Sequence, residues 1–228
     1  MKKLSTIKQD YKTIKPEDIK LIDPCMGSGH ILIYAFDVLM QIYESYGYIP
    51  RDAASLIVEN NIYGLDIDER AAQLAYFAVM MKGRQYDRKF LTRGITPHIY
   101  DIPELAQVQS EIIDEFDDCA DIARRVCDTF YEGKDYGSLL KPPVSIKEIE
   151  QLNKKIIDMS LGVTNIFSQI AINTVAPIID ITKMLVQKYD IVVTNPPYMS
   201  VSNVGTRLNN YVKKNYPDSK SDLFSVFI

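Results

Sequence analysis

Two consecutive prolines, Pro196 and Pro197, close the apolar, β-branched run Asp190-Ile191-Val192-Val193-Thr194-Asn195 and leave the chain few conformational options. Proline holds φ near about −65° and lacks an amide donor, so neither residue can continue a sheet. Pro196 also drives Asn195 out of the helical region. Asp190 to Thr194 therefore reads as a short buried strand ending on a rigid shelf. That shelf offers the Asn195 amide, carbonyl acceptors and the Tyr198 ring. A planar amino group suits it. Such an amine is a poor nucleophile because its lone pair is delocalised. The Asn195 side-chain oxygen and the Pro196 carbonyl are placed to take both N–H protons and help pyramidalise the nitrogen, while Tyr198 stacks on the ring. This chemistry needs no metal and no strong base. For the tetrapeptide alone, an ordinary proline-rich turn remains the alternative.

A site for the electrophile lies upstream. Lys20-Leu21-Ile22 leads into Asp23-Pro24-Cys25-Met26-Gly27-Ser28-Gly29-His30, followed by a helical pattern from Ile31 to Tyr46. Strand, glycine turn, helix is the order in which backbone approaches a ligand near a helix N-terminus. It is neither the Gly-x-Gly-x-x-Gly pattern of dinucleotide sites nor a P-loop. A second strand is expected over Asn61–Leu65, ending in Asp66-Ile67-Asp68. The helix after it, Glu69 to Lys82, has Ala72, Leu74, Ala75, Ala78 and Val79 as buried candidates. A carboxylate at the strand end, Asp66, can accept both hydroxyls of a ribose. Asp68 is better read as the N-cap of the following helix.

Taken in order, Asp-Pro-Cys-Met-Gly-Ser-Gly-His, Gly-Leu-Asp-Ile-Asp and Asn-Pro-Pro-Tyr resemble the S-adenosylmethionine-dependent N6-adenine DNA methyltransferases. The strings His30–Asp37, Arg70–Ala75 and Lys220–Ile228 are similar to the large adenine methyltransferases of BREX and phage-growth-limitation systems, and to type I and type IIG restriction enzymes. The resemblance implies an α/β fold, the Rossmann-like class I methyltransferase three-layer sandwich, with strands near Lys20–Asp23, Ile62–Asp66, Thr96–Tyr100 and Tyr189–Thr194. It implies S-adenosylmethionine as cofactor, with Asp23, Cys25, Gly27 and Gly29 along its methionine and ribose part, Asp66 on the ribose hydroxyls and Ile67 on the adenine. Asp101, after the third strand, is the counterpart of a polar residue that touches the cofactor adenine, although a plain surface loop accounts for it equally well. Asn195, Pro196, Pro197 and Tyr198 would hold the target base. The implied partners are double-stranded DNA and the proteins of a defence complex, with no metal and no membrane.

The departures set further expectations. The aromatic-Thr-Pro motif that such enzymes carry before the first strand is absent, and residues 1–17 read as a frayed leader. Four strands are legible where a complete core has about seven, so the chain is expected to be an incomplete catalytic domain without a target-recognition domain, inactive by itself. Its parts are a leader (1–19), a cofactor-binding half (20–101), a helical insertion (102–187) and the target-base strand with its helix (188–228). The insertion is expected to hold one helical stretch from Glu104 to Tyr131, a loop from Glu132 to Pro143, a helix from Ser145 to Met159 with a Ser145–Glu148 capping box, and a helix from Asn165 to Gln187 kinked or split at Pro177. Acidic residues Glu111, Asp114, Glu115, Asp117, Asp118 and Asp121 suit a helical brace with a solvated face.

A net charge of −4 does not provide a basic DNA-binding face, so most phosphate contacts are expected from sequence beyond Ile228. Three unevenly placed cysteines form neither a disulfide framework nor a zinc spacing, and Cys119 and Cys127 read as small buried residues. The longest apolar run is read as Ile31 to Met40, too short to span a membrane, which points to the cytoplasm. Methylation of a glutamine side chain, as in the release-factor enzymes, methylation of RNA adenine, and an inactive cofactor-binding piece are the alternatives.

Overall fold

Leu21–Asp23 (β1) is the hub of a four-stranded sheet in the computed structural model, which describes residues 14–131, 133–162, 165–196, 205–219 and 223–227. The other strands are Ile62–Asp66 (β2), His98–Asp101 (β3) and Ile191–Val192 (β4), in the order β3-β2-β1-β4. β1 runs parallel to β2, pairing Ile22 with Tyr63 and Asp23 with Gly64, and parallel to β4, pairing Ile22 with Val192. All three residues of β1 are buried, the non-alternating pattern of a parallel strand covered on both faces. The fold is thus mixed α/β on a parallel sheet. β4 differs from its expectation: it is two residues long, and Ile191, Val192 and Val193 are exposed. Among the described residues it is an edge strand with one neighbour.

Residues up to Tyr100, together with Tyr189–Thr194, make one compact unit; Asp101–Lys188 and the residues from Asn195 onward make a second. In the first, helices α1 (His30–Ser45), α2 (Pro50–Leu56) and α3 (Glu69–Tyr86) supply the core. Leu32, Phe36, Leu39, Met40 and Tyr43 recur on one face of α1 and meet Ala72, Ala75, Val79, Phe90 and Ile99. Leu74, expected inside, is exposed, and Ala78 is only half-buried. The core-facing stripe of α3 is narrow and runs through small residues, which bring the helix close to the sheet. Gly64 serves the same close packing: a Cβ there would collide with Met26 Sδ and with Leu32 Cδ1 at 2.7 Å.

Asn61 belongs to a π-helical turn, Ile57–Asn61, before β2 and not to the strand itself. Its buried amide accepts from the Tyr43 hydroxyl at 2.9 Å and donates to the Pro16 and Ile19 carbonyls, each at 2.7 Å. Those bonds hold the turn Pro16–Asp18, whose Glu17 also accepts from the Tyr48 hydroxyl. The end of the expected frayed leader is therefore packed.

The second unit is helical: α4 (Ser110–Asp114), α5 (Ala120–Phe130), α6 (Gly133–Tyr136), α7 (Ile146–Leu161), α8 (Ile166–Val186), α9 (Thr206–Asn215) and α10 (Leu223–Val226). The expected single stretch from Glu104 to Tyr131 is broken. Leu105 instead makes a β-bridge with Tyr131, and Asp117 takes φ +47°, a left-handed conformation that aspartate tolerates better than most residues. The expected loop from Glu132 to Pro143 contains α6 and a 3₁₀ turn, Gly137–Leu139. Ser145 and Glu148 form the capping box of α7, and Asn165 caps α8 through the Ser168 amide at 2.8 Å. α8 runs unbroken through Pro177, because Ala171, Val175, Ile178 and Ile179 are buried on both sides of the proline and packing outweighs the lost hydrogen bond. Among the described residues α8, which is longer than Ile31–Met40, is long and apolar enough to cross a membrane by length and composition alone. Here its apolar face is buried in the core of this unit. Cys119 and Cys127 are buried as expected, and burial pushes the Cys127 thiol up to about 12.

Candidate active site

At the C-terminal end of β1 the chain turns through Pro24 to Gly29 with its backbone pressed against the end of β2. The Met26 amide donates to the Leu65 carbonyl at 3.0 Å, and the Gly27 amide donates to Asp66 Oδ2 at 2.8 Å. Asp66 Oδ1 accepts from the Asp68 amide at 2.9 Å. Asp66 is therefore a fastener: one carboxylate joins the glycine turn to the turn that follows β2. Its two bonds leave roughly two of a carboxylate's four acceptor positions. Asp68 caps α3 as expected, taking the Arg70 amide at 2.8 Å and the Ala71 amide at 3.3 Å.

Both turn glycines are left-handed, Gly27 at φ +52° and Gly29 at +84°. Their surroundings differ. A Cβ on Gly29 would lie 2.9 Å from Ala75 Cβ, so this glycine lets α3 approach the turn. A Cβ on Gly27 would meet nothing within 4 Å, so open space lies beside the backbone there. Cys25 is half-buried, and Ile67 is 50% exposed although it is a large apolar residue at a strand end.

Asp23 is completely buried. Its Oδ1 accepts from the Cys25 amide at 3.1 Å, while Oδ2 has no hydrogen-bond partner. Burial raises its pKa; the Thr194 hydroxyl and the Cys25 amide pull it back, and the nearby Asp66 charge pushes it up again. Thr194 is close enough to act electrostatically, yet its Oγ1 makes no full hydrogen bond. Two buried polar atoms left unsatisfied side by side are costly and unusual. The unfolded chain loses the Asp23 proton near 3.8, the folded chain at higher pH, so this residue weakens folding as pH rises through that interval. Asp23→Asn keeps an acceptor for Cys25. It is expected to raise the urea midpoint at neutral pH and to match the parent below pH 3.8.

Asp23, Cys25, Gly27, Gly29, Asp66 and Ile67 are thus gathered at one edge of the sheet. Thr194 and Gly64 belong with them and escaped the sequence reading; a glycine in mid-strand was the available signal for the latter. Asp101 is the last residue of β3, not part of a loop, and falls in the second unit. Asn195 is exposed and Pro196 buried, both in the second unit, and Pro197 and Tyr198 lie outside the described residues. Among the described residues, no three His, Cys, Asp or Glu side chains are grouped to hold a metal ion.

A family described as Eco57I restriction-modification methylase matches residues 60–228, and one described as N-6 DNA Methylase matches residues 5–97. The chain belongs to the Eco57I restriction-modification methylase family. It is 40% identical over 225 residues to the adenine-specific methyltransferase PglX of Lacticaseibacillus casei (strain Zhang), with 96% of this chain and 19% of that protein covered. It is 38% identical over 244 residues to the adenine-specific methyltransferase BrxX of Escherichia coli O9:H4 (strain HS), with 95% of this chain and 20% of that protein covered. The chain spans about a fifth of the length of these curated relatives.

Proposed function

We propose that this chain is the cofactor-holding and adenine-holding part of an enzyme that methylates N6 of adenine in duplex DNA, in a restriction-modification or BREX-type defence system of the cytoplasm. The observation that carries this reading is the Gly27–Asp66 tie, which fixes a glycine turn, open on one side, against a strand-end carboxylate with acceptor positions to spare. S-adenosylmethionine suits this donor set and, when bound, supplies an electrophilic methyl group. The remaining Asp66 lone pairs take ribose hydroxyls, the exposed Ile67 packs on a flat base, and the open side of Gly27 lets a ligand approach the backbone. The sheet and these residues are consistent with the Rossmann-like class I methyltransferase sandwich, in which Asp101 would touch the cofactor adenine.

Asn195 and Pro196 then act on the substrate. Their carbonyl oxygens accept the two hydrogens of the adenine amino group and stabilise positive charge developing on its nitrogen. The base must leave the helix stack to reach them, and Tyr198 is assigned to hold it by stacking. Duplex DNA and other proteins of the defence system are the proposed partners. The decisive assay uses tritiated S-adenosylmethionine with the whole protein and duplex DNA, followed by digestion to nucleosides. Label in N6-methyldeoxyadenosine is expected. Preferential labelling of RNA or of a glutamine-containing protein would replace this reading with one of its alternatives.

A further inference from the structure

Helix α9 carries a polar face of one sign. Thr206, Arg207, Asn210, Lys213 and Lys214 recur at three- and four-residue steps and are all exposed. The other side of the helix is firmly seated. Leu208, Tyr211, Val212 and Tyr216 pack with Leu139, Leu223 and Val226, and the Tyr211 and Tyr216 hydroxyls both donate to the Leu139 carbonyl, at 3.0 and 3.1 Å. Tyr211 also lies against Tyr136 with ring centroids 4.5 Å apart. Lys141, from a different segment, joins the helix end: its Nζ stands 3.8 Å from the Tyr216 ring centroid and donates to the Asn215 carbonyl at 3.3 Å.

The sign of this charge is opposite to the net charge of the chain. From Asn195 to Tyr216 there are three basic residues and no acidic one, in a chain of net charge −4. Lys213 and Lys214 would be explained by the negative end of the helix dipole. Arg207 would not, because it sits in the first turn, where the dipole disfavours a cation. Lys141 meets the same C-terminal helix end, on the Asn215 carbonyl, and adds a cation from a separate segment. One acid meets the face, Asp135, 3.4 Å from Arg207. Arg207 and Lys214 are seven residues apart, about 10 Å along the helix.

We propose that Arg207, Lys213, Lys214 and Lys141 form a contact surface for the phosphates of the duplex whose adenine is methylated. The proposal rests on the function given above and locates phosphate contacts within this chain, where its overall acidity argued for few. The surface carries no base-reading function: lysines facing phosphates bind all sequences alike.

The test measures affinity of the whole protein for a short fluorescent duplex, with S-adenosylhomocysteine present, across a salt series. Lys213→Gln/Lys214→Gln is expected to weaken binding equally for different sequences and to reduce the slope of log affinity against log salt by about two. Lys213→Arg/Lys214→Arg should keep the parent slope, and S-adenosylhomocysteine affinity should be the same in all three proteins. An unchanged slope in the glutamine variant overturns the surface while leaving the methylation assay, and hence the enzymatic reading, intact. Single-stranded RNA displacing the duplex at lower concentration than DNA itself also overturns it. If the slope falls as expected but duplex adenine is never methylated, the enzymatic reading is what fails. Should the glutamine variant lose S-adenosylhomocysteine, the arginine variant decides: a slope below the parent's there overturns the proposal.

Discussion

Asn195→Ala is expected to reduce adenine methylation by roughly a hundredfold or more, the effect of removing one preorganised group that acts on developing charge, while S-adenosylmethionine affinity stays at the parent value. The reason lies in when the interaction matters. The amide oxygen does little for a resting amino group whose lone pair is in the ring. It gains strength as the nitrogen becomes tetrahedral and positive, so its loss falls on turnover and not on ground-state binding. Asn195 is also exposed, so shortening it leaves no buried cavity to unfold the protein. Single-turnover kinetics on duplex DNA, with calorimetry of cofactor binding beside it, separates the two quantities. A variant that still methylates at the parent rate would reduce Asn195-Pro196 to a turn.

Asp66→Ala is expected to weaken S-adenosylhomocysteine binding by roughly thirty- to a hundredfold, corresponding to loss of about 2–3 kcal/mol from charge-assisted hydrogen bonds. Two mechanisms contribute. The side chain is assigned to ribose hydroxyls, and it also holds the Gly27 and Asp68 amides, so its removal frees the glycine turn as well. Asp66→Asn separates them. It keeps one oxygen for the Gly27 amide and presents an NH2 group to the Asp68 amide, so the urea midpoint reports what that lost bond alone costs. Lost affinity with an unchanged urea midpoint in the asparagine variant assigns Asp66 to the cofactor. Unchanged affinity in both variants leaves it only the role of fastener.

Much of the site was legible because its signals are local. The turn Asp23–Gly29 between a strand and a helix needs only the glycine and proline positions. Asp68 and Ser145 were readable as caps because each cap bond spans two or three residues. The parallel pairing of β1 with β2 and β4 followed from strands separated by helical crossovers. The basic face of α9 was equally visible in the sequence as a charge pattern, but the acidity of the whole chain masked it.

Other features depended on contacts that no local pattern encodes. Leu74 is exposed because the face of α3 that packs inward runs through Ala72, Ala75 and Val79, with Ala75 against Gly29. Pro177 should interrupt a helix, yet α8 continues because burial on both sides of it stabilises the helical form. Asp117 breaks a helix whose apolar spacing suggested continuity. The Gly27–Asp66 bond joins positions 39 residues apart, and the unsatisfied pair Asp23 and Thr194 comes from strands at opposite ends of the chain. Residue order determined which short segments turn, cap and extend, since those preferences are settled within a few bonds. Which carboxylate holds the glycine turn, and which carries a buried oxygen with no hydrogen bond, was decided only when packing brought distant strand ends together.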